Sequence, residues 1–403
     1  MHLPSPRVAG AAVLLVLGFG IAVGASGGPH ANATLASATP QRRVVVVAPG
    51  ASAATTVTRT VTAAAPPPTT VTTTVTQTVT HTVTTPATQQ QDDSSSTETD
   101  SGSSGSTDEP KQPTIKHVWL VALTGHTMDE ALANPSPMPY LSGTLRPKGL
   151  LLSKYKAVST GALANLIALI SGQKPTADQQ AGCPAYKDVD PTTSAGCVFA
   201  KKVDTLAGQL TEVGRTWRAY VEDSDAGQPP DTCRHPAAGG PLEPVMARNP
   251  FLFFHAIVDT PDCAANVAGI SRLAPDSEDS DSAPTVALVV PNACHDGQDQ
   301  PCVAGQPAGL AAADAWLKTQ LDPLLASKAY KDHGMVVVTF DAGPDPSQPV
   351  GALVLSSVVK AGGTDDSAVD HDALLRTLED FFALDPLGEA KDAKAIEVTN
   401  ASP

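Results

Sequence analysis

The sequence predicts an α/β fold, a three-layer α/β/α sandwich around a mostly parallel sheet. Short runs of apolar, β-branched residues without alternating polarity are typical of strands that are buried on both faces of a sheet. Segments with helical periodicity alternate with these runs along residues 114–403. Such alternation indicates parallel strands that are connected through covering helices. Two other segments precede this domain in the chain.

Residues 1–36 are predicted to be a signal peptide or a membrane anchor. Residues 8–26 are apolar and uncharged and follow Arg7. Their length lies between that of a signal-peptide core and that of a membrane-spanning helix. Val23 and Ala25 offer a small-residue cleavage site, whereas the segment that follows favours a retained anchor. The N-terminal position disfavours a buried core helix.

Residues 37–113 are predicted to be a disordered stalk that is rich in Thr, Ser and Pro. The alternation of Thr and Val resembles a strand pattern. Almost no large apolar residue accompanies it, and three prolines interrupt it at 66–68. This composition cannot bury enough surface to offset chain entropy, so we expect an extended spacer that is open to O-glycosylation.

The acidic charge of the domain excludes one class of partner. The chain has 26 Lys and Arg against 41 Asp and Glu, of which five basic and six acidic residues precede residue 114. The domain at 114–403 therefore carries 21 basic and 35 acidic residues, a net charge of −14. A negative field of this size disfavours nucleic acid as a partner.

The cysteines predict an oxidising, extracytoplasmic location. All six lie in the domain, and in an exported chain an even number indicates disulfides. Pairing between neighbours closes the shortest loops and is the arrangement that we favour over the other connectivities. A zinc site is the alternative, but the sequence has no C-x-x-C pair. The neighbour pairs are Cys183–Cys197, Cys233–Cys263 and Cys294–Cys302.

The domain elements follow from the periodicity of apolar residues. The predicted strands are 117–123, 285–292, 335–341 and 351–357. The predicted helices are 163–171, 204–214, 309–330 and 370–384, the last with Asp370 or Asp372 available as its cap. Ligands of open α/β sheets bind beyond the carboxyl ends of the strands. That rule selects the segments 124–127, 159–162, 292–299 and 341–345.

These segments resemble the bacterial phosphoesterase family that includes phospholipase C and acid phosphatases, within the alkaline-phosphatase-like superfamily. Each match alone is weak, but seven occur in the correct order along nearly the whole domain. They are IKHVWLVALTGHTMDE (115–130), YKAVSTGALANLIALISG (155–172), TLAGQLTEVGRTWRAYVED (205–223), RNPFLFF (248–254), VVPNACHDGQDQPC (289–302), VVVTFDAGPD (336–345) and DHDALLRTLEDFFALDPLGEA (370–390).

The resemblance implies metal-dependent phosphoester hydrolysis, in which carboxylates hold a divalent metal that activates a hydroxyl nucleophile. This chain departs from that pattern at six positions. The Glu-Asn metal turn is replaced, the nucleophile is absent, one of two paired acids is missing, and two histidines are substituted. The degenerate positions are Thr124 and Gly125, Ala162, Ala342, Arg248 and Gln298.

What remains of the implied site is Asn165, Asp296, Asp299, Asp341 and His371. We interpret Asn165, Asp296 and His371 as vestigial catalytic positions and Asp341 as a weak metal ligand. Each also has a structural interpretation: Asn165 as a helix-start residue, Asp341 as a turn cap and His371 as a surface or capping residue. His126 and His295 could join Asp296 and Asp341 in an improvised zinc or copper site, which we disfavour.

The sequence thus favours an envelope-displayed phosphoesterase-family domain that has lost catalysis and acts as a binding or scaffolding module. Its ligand would be a lipid headgroup, a glycan or a protein, with membrane contact through the N-terminal segment if that segment is uncleaved. The alternative is an active phosphoesterase with an altered mechanism, whose nucleophile is Ser159 or Thr160. We expect no cofactor in the first case and a divalent metal only in the second.

Overall fold

The computed structural model describes residues 114–224, 246–298 and 304–398, the single residues 233, 240 and 302, and the backbone of two strands before residue 81. It divides into two units, Met1–Gly105 and Ser106–Pro403. The apolar segment at 8–26 lies outside the described residues. Within the described part of the chain, no helix is long and apolar enough to cross a membrane.

The first unit contains a pair of antiparallel strands that the sequence analysis does not predict. Strand β1 is Ala54–Ala64 and strand β2 is Thr70–Thr80, with Ala54 opposite Thr80. Both strands follow the Thr and Val alternation for which an extended spacer is expected. The physical reason for the difference is that β-branched residues favour extended, pleated backbone even where no apolar core accompanies them.

The second unit is built on an eight-stranded sheet whose centre is parallel. Its strand order is β11-β4-β10-β9-β3-β8-β6-β7, and the five strands from β9 to β7 are parallel, while β12 pairs with β5. The strands are β3 (His117–Leu123), β4 (Leu150–Leu152), β5 (Tyr155–Lys156), β6 (Trp217–Val221), β7 (Val267–Ala268), β8 (Val286–Val290), β9 (Gly334–Phe340), β10 (Ala352–Ser356), β11 (Thr364–Asp365) and β12 (Val369–Asp370).

Two groups of helices pack beside the sheet and complete the three layers. Helices α2, α4 and α10 pack with one another, and α8 packs with α7 and α9. The α-helices are α1 (Met128–Ala131), α2 (Ala162–Ser171), α3 (Ala177–Gln180), α4 (Leu206–Glu212), α5 (His255–Val258), α6 (Pro261–Asn266), α7 (Leu273–Ser277), α8 (Gly309–Ala326), α9 (Lys328–Lys331) and α10 (His371–Phe382).

The predicted helix at 309–330 is divided in the structure. Ser327 has extended backbone between α8 and α9, and its hydroxyl accepts a hydrogen bond from the amide of Tyr330 at 3.1 Å. A serine that caps a following helix in this way ends the preceding one. Asp370 is the cap of α10, as one of the two predicted alternatives, and accepts from the amide of Ala373 at 2.9 Å.

The cysteine pairs confirm the predicted connectivity. Disulfides join Cys183 to Cys197, Cys233 to Cys263 and Cys294 to Cys302. No cysteine of the described residues is free. Three disulfides within one domain are consistent with an extracytoplasmic location.

Candidate functional site

The loops that follow β3, β8 and β9 are fastened to one another at the carboxyl edge of the sheet. The amide of Asp341 donates to the carbonyl of Leu123 at 2.7 Å, and that of Gly125 donates to Ala342 at 2.8 Å. The amide of Thr124 donates to the carbonyl of Asp296 at 2.7 Å. Five sequence-predicted site positions are therefore brought together by backbone hydrogen bonds.

Asp341 is a buried carboxylate at the end of β9, with only 3% of its surface exposed. Its Oδ1 atom has no hydrogen-bond partner among the described residues. Burial raises the pKa of Asp341 to about 7; the Thr124 hydroxyl and the Arg248 charge oppose this rise, and Asp296 adds to it. This carboxyl group is therefore only partly ionised at neutral pH.

Asp296 is the second buried carboxylate of the edge, and it is ion-paired. Its Oδ2 lies 2.6 Å from Nη2 of Arg248, and Nη1 of Arg248 donates to the carbonyl of Pro291 at 3.0 Å. The backbone amide of Gln298 donates to Oδ1 at 2.9 Å, and its side-chain amide donates to Oδ2 at 3.1 Å. Both oxygens of Asp296 thus have protein partners. Asp299 lies outside the described residues.

The predicted nucleophile turn leads directly into α2. Gly161 is the N-cap and Ala162 the first helical residue, so a methyl group stands where a hydroxyl is expected. Asn165 is completely buried. Its Oδ1 accepts from the amides of Val158 and Ser159 at 3.0 and 2.8 Å, and its Nδ2 donates to the carbonyls of Ser159 and Gly161 at 2.8 and 3.0 Å. The side chain of Asn165 is therefore fully used in holding the turn.

Among the described residues, no base is hydrogen-bonded to the hydroxyl of Ser159 or Thr160. The Oγ atom of Ser159 is buried and has no hydrogen-bond partner among the described residues. Thr160 is exposed at the surface of the turn. A serine or threonine nucleophile needs an adjacent base or metal to remove its proton. The described part of the chain supplies no such group to Ser159.

His371 is buried rather than at the surface, which corrects one of its two sequence interpretations. It has no exposed surface at the start of α10. Its Nε2–H donates to the backbone carbonyl of Asp341 at 2.8 Å, and its Nδ1 accepts from the hydroxyl of Tyr155 at 2.7 Å. Burial lowers the pKa of His371 to about 4, so the ring is neutral. His371 positions the backbone of Asp341 and has no nitrogen left for a ligand.

The sequence analysis did not single out Glu222, which follows β6 at the same edge. Nδ1 of His295 lies 2.9 Å from Oε1 of Glu222, and Oε2 of Glu222 accepts from the amide of Asn292 at 2.9 Å. Asn292 also donates from Nδ2 to Asp223 at 2.8 Å. The available signal was the pair of acids at 222–223, which directly follows the WRAYV segment, a strand that was not among those predicted. Acids at such a position reach the carboxyl edge.

The described residues do not fit a divalent metal. No group of three or more histidine, cysteine, aspartate or glutamate side chains could hold an ion in this part of the chain. Thr124, Gly125 and Ala342 supply no carboxylate, and Nδ1 of His126 lies 3.1 Å from Oε2 of Glu130. Hard cations need several oxygen ligands, mostly carboxylates. Of the two buried carboxylates described at this edge, Asp296 and Asp341, only Asp341 has an oxygen without a hydrogen-bond partner.

A parallel sheet that is flanked by helices, with these loops at its carboxyl edge, defines an α/β domain. The model of the Phosphoesterase family matches residues 134–385, more than half of the chain. The chain belongs to the phosphoesterase family.

Two characterised relatives are phosphatases. The phosphate-repressible acid phosphatase of Penicillium chrysogenum is 22% identical over 300 residues, which are 72% of this chain and 66% of that protein, just under two thirds of its length. The phosphatidylinositol-3-phosphatase of Mycobacterium tuberculosis is 23% identical over 288 residues, 70% of this chain and 82% of that protein. A solved structure in the alkaline phosphatase superfamily, from Vibrio parahaemolyticus, is 13% identical with a TM-score of 0.46, covering 70% of each chain.

Proposed function

We propose that this protein is a phosphoesterase-family domain that has lost phosphoester hydrolysis and acts as a binding or scaffolding module. The observation that carries the proposal is the structure of the turn before α2. Ala162 places a methyl group at the nucleophile position, and both polar atoms of the Asn165 side chain are hydrogen-bonded to the backbone of the turn. Without an activated hydroxyl, covalent phosphoryl transfer cannot begin.

The proposed location is the extracytoplasmic side of the membrane, where the N-terminal segment displays the domain. The three disulfides support an oxidising compartment. The net charge of −14 on residues 114–403 disfavours nucleic acid, and the proposed ligand is a lipid headgroup, a glycan or a protein.

An activity assay on the full chain tests this proposal. Phosphomonoesters and phosphodiesters would be offered with Ca²⁺, Mg²⁺, Mn²⁺ or Zn²⁺, and we expect no turnover above background. Matched variants are Ser159→Ala and Thr160→Ala. Turnover by the unmutated chain that either variant abolishes would contradict the proposal and support the active enzyme with a relocated nucleophile.

Restoring the family pattern gives a second test. The variant combines Thr124→Glu, Gly125→Asn, Ala162→Ser and Ala342→Glu. Gly125 has φ +80° with open space where a Cβ would lie, and asparagine tolerates this backbone best among non-glycine residues. We expect divalent metals to raise the melting temperature of this variant, while ~1 mM Ca²⁺ or Mg²⁺ adds well under ~1 kcal/mol to the unmutated chain. Strong metal stabilisation of the unmutated chain would contradict the proposal.

A further inference from the structure

Two buried carboxylates lie at the carboxyl edge of the sheet. Asp296 has 1% and Asp341 has 3% of its surface exposed. The amide of Thr124 donates to the carbonyl of Asp296 at 2.7 Å, and the amide of Asp341 donates at 2.7 Å to the carbonyl of Leu123, the residue before Thr124. Buried carboxylates are stable only when they are neutralised or paired with positive charge. The group that supplies positive charge to these carboxylates therefore determines whether the site can also bind a metal cation.

Arg248 supplies that charge from a well-fixed position. Its Nη2 lies 2.6 Å from Oδ2 of Asp296, and its Nη1 is held at 3.0 Å by the carbonyl of Pro291. The next residue, Asn249, is completely buried and caps a short helix by accepting from the amide of Phe251 at 3.2 Å. The guanidinium is thus anchored at its tip and through the backbone beside it.

We propose that the Arg248 guanidinium is a built-in cation that takes the place of a divalent metal at the Asp296 carboxylate. The inference rests on the proposed function, because a metal-dependent mechanism would need this place for the metal. A dication and a guanidinium cannot share the same carboxylate without strong repulsion. Arg248 is the counter-ion of Asp296 and excludes metal from it.

Substitution of Arg248 changes the charge that faces these carboxylates. Removal of the guanidinium leaves Asp296 and Asp341 uncompensated, beside the hydroxyl of Thr124. Two carboxylates and a hydroxyl are oxygen ligands of the kind that Mn²⁺, Mg²⁺ and Ca²⁺ bind. With water as the remaining ligands, we expect loss of Arg248 to allow a divalent cation to bind at Asp296.

The experiment is a Mn²⁺ titration of the full chain, followed by the loss of the free-ion electron paramagnetic resonance signal. Unmutated protein, Arg248→Lys and Arg248→Gln would be compared at neutral pH. Lysine keeps the charge, whereas glutamine keeps a hydrogen-bond donor without it. We expect Arg248→Gln to bind one more Mn²⁺ than the unmutated protein and its melting temperature to rise by about 2–4 °C in ~5 mM Mn²⁺. Arg248→Lys should show neither change.

Two further variants make the result specific. Arg376→Gln removes a partly exposed arginine whose Nε lies 2.8 Å from Oδ1 of Asp380, and it should gain no Mn²⁺ site. Adding Asp296→Asn to Arg248→Gln should remove the gained site. Equal Mn²⁺ binding by folded Arg248→Gln and the unmutated protein would overturn the inference. One bound Mn²⁺ in the unmutated protein that Asp296→Asn abolishes would also overturn it, even if Arg248→Gln failed to fold.

The Mn²⁺ titration and the activity assay test the two proposals separately. Hydrolysis without metal by the unmutated chain would end the proposal of lost catalysis, yet leave Arg248 as the counter-ion. If the unmutated chain shows no turnover and folded Arg248→Gln binds no more Mn²⁺ than it does, only the counter-ion inference is wrong.

Discussion

Glu379 on α10 carries a carboxylate with no exposed surface. Its Oε1 accepts from the amide of Leu387 at 2.8 Å and so fastens the segment after the helix. Its Oε2 has no partner among the described residues. Burial raises the pKa of Glu379 to about 7. The folded domain therefore holds this proton at pH values where the unfolded chain releases it.

This pKa predicts a pH-dependent effect of Glu379→Gln. A carboxyl group whose folded pKa is raised contributes stability below its unfolded pKa, near 4.5, and loses it as the pH rises through about 7. Glutamine keeps the acceptor for Leu387 and does not titrate. We expect the variant to be more stable than the unmutated protein by about 1–2 kcal/mol at pH 8, with little difference at pH 4.5.

Denaturant unfolding at several pH values measures this difference. Glu212→Gln is the matched control, because Glu212 is exposed at the end of α4. It should leave the stability difference near zero at every pH. A Glu379→Gln variant that is less stable than the unmutated protein at pH 8 would contradict the prediction.

The location of single site residues was predictable, but their partners were not. The order of the motifs placed Thr124, Ala162 and Asp341 at the carboxyl edge, because that edge follows from strand order alone. The pair of Arg248 with Asp296 joins residues that are distant in sequence, so it depends on tertiary packing. The same holds for His371. Its burial between Tyr155 and the backbone of Asp341 depends on tertiary packing and could not be predicted from the sequence of α10.

At the scale of elements, long apolar strands were predictable and short ones were not. The bounds predicted for β3 are those observed, 117–123, because seven consecutive residues are buried. Strands β5, β7, β11 and β12 have two residues each, too few for any periodicity.

The direction of β10 also departed from a parallel arrangement. It pairs antiparallel with both β9 and β4. A parallel neighbour needs a crossover of a dozen or more residues, usually with a helix. The connection at 341–351 contains no helix and is too short for such a crossover.

The turn before α2 depends on one side chain, which predicts a large effect of Asn165→Ala. In this variant the amides of Val158 and Ser159 and the carbonyl of Ser159 lose the hydrogen bond to the side chain, while the Gly161 carbonyl keeps the backbone amide of residue 165. Partly buried groups left without hydrogen bonds are costly, and we expect the free energy of unfolding to fall by about 2–4 kcal/mol.

Thermal and denaturant unfolding test this expectation. Asn266→Ala is the control, because Asn266 at the end of α6 donates from its side chain to the Asp262 carbonyl at 3.0 Å and is more exposed than Asn165. It should cost well under half as much. Equal stability of the Asn165 and Asn266 variants would show that the turn holds its shape without the amide.

At the scale of the whole molecule, the sequence divides the chain near residue 113 and the structure divides it between Gly105 and Ser106. The second unit contains the eight-stranded sheet, all three disulfides and the candidate site. A unit with its own core and cross-links is expected to fold without the residues that precede it.

Limited digestion with trypsin tests this independence. Residues 37–113 hold only four trypsin sites, Arg42, Arg43, Arg59 and Lys111, whereas the domain holds 21 basic residues. Because the Thr-, Ser- and Pro-rich composition cannot form a core, we expect early cleavage after Lys111 and a resistant fragment that begins at Gln112. That fragment should melt cooperatively within about 2 °C of the full chain, since it keeps every core contact of the sheet. Resistance at Lys111 while the domain is cut, or a fragment that loses cooperative melting, would show that the preceding residues are part of the fold.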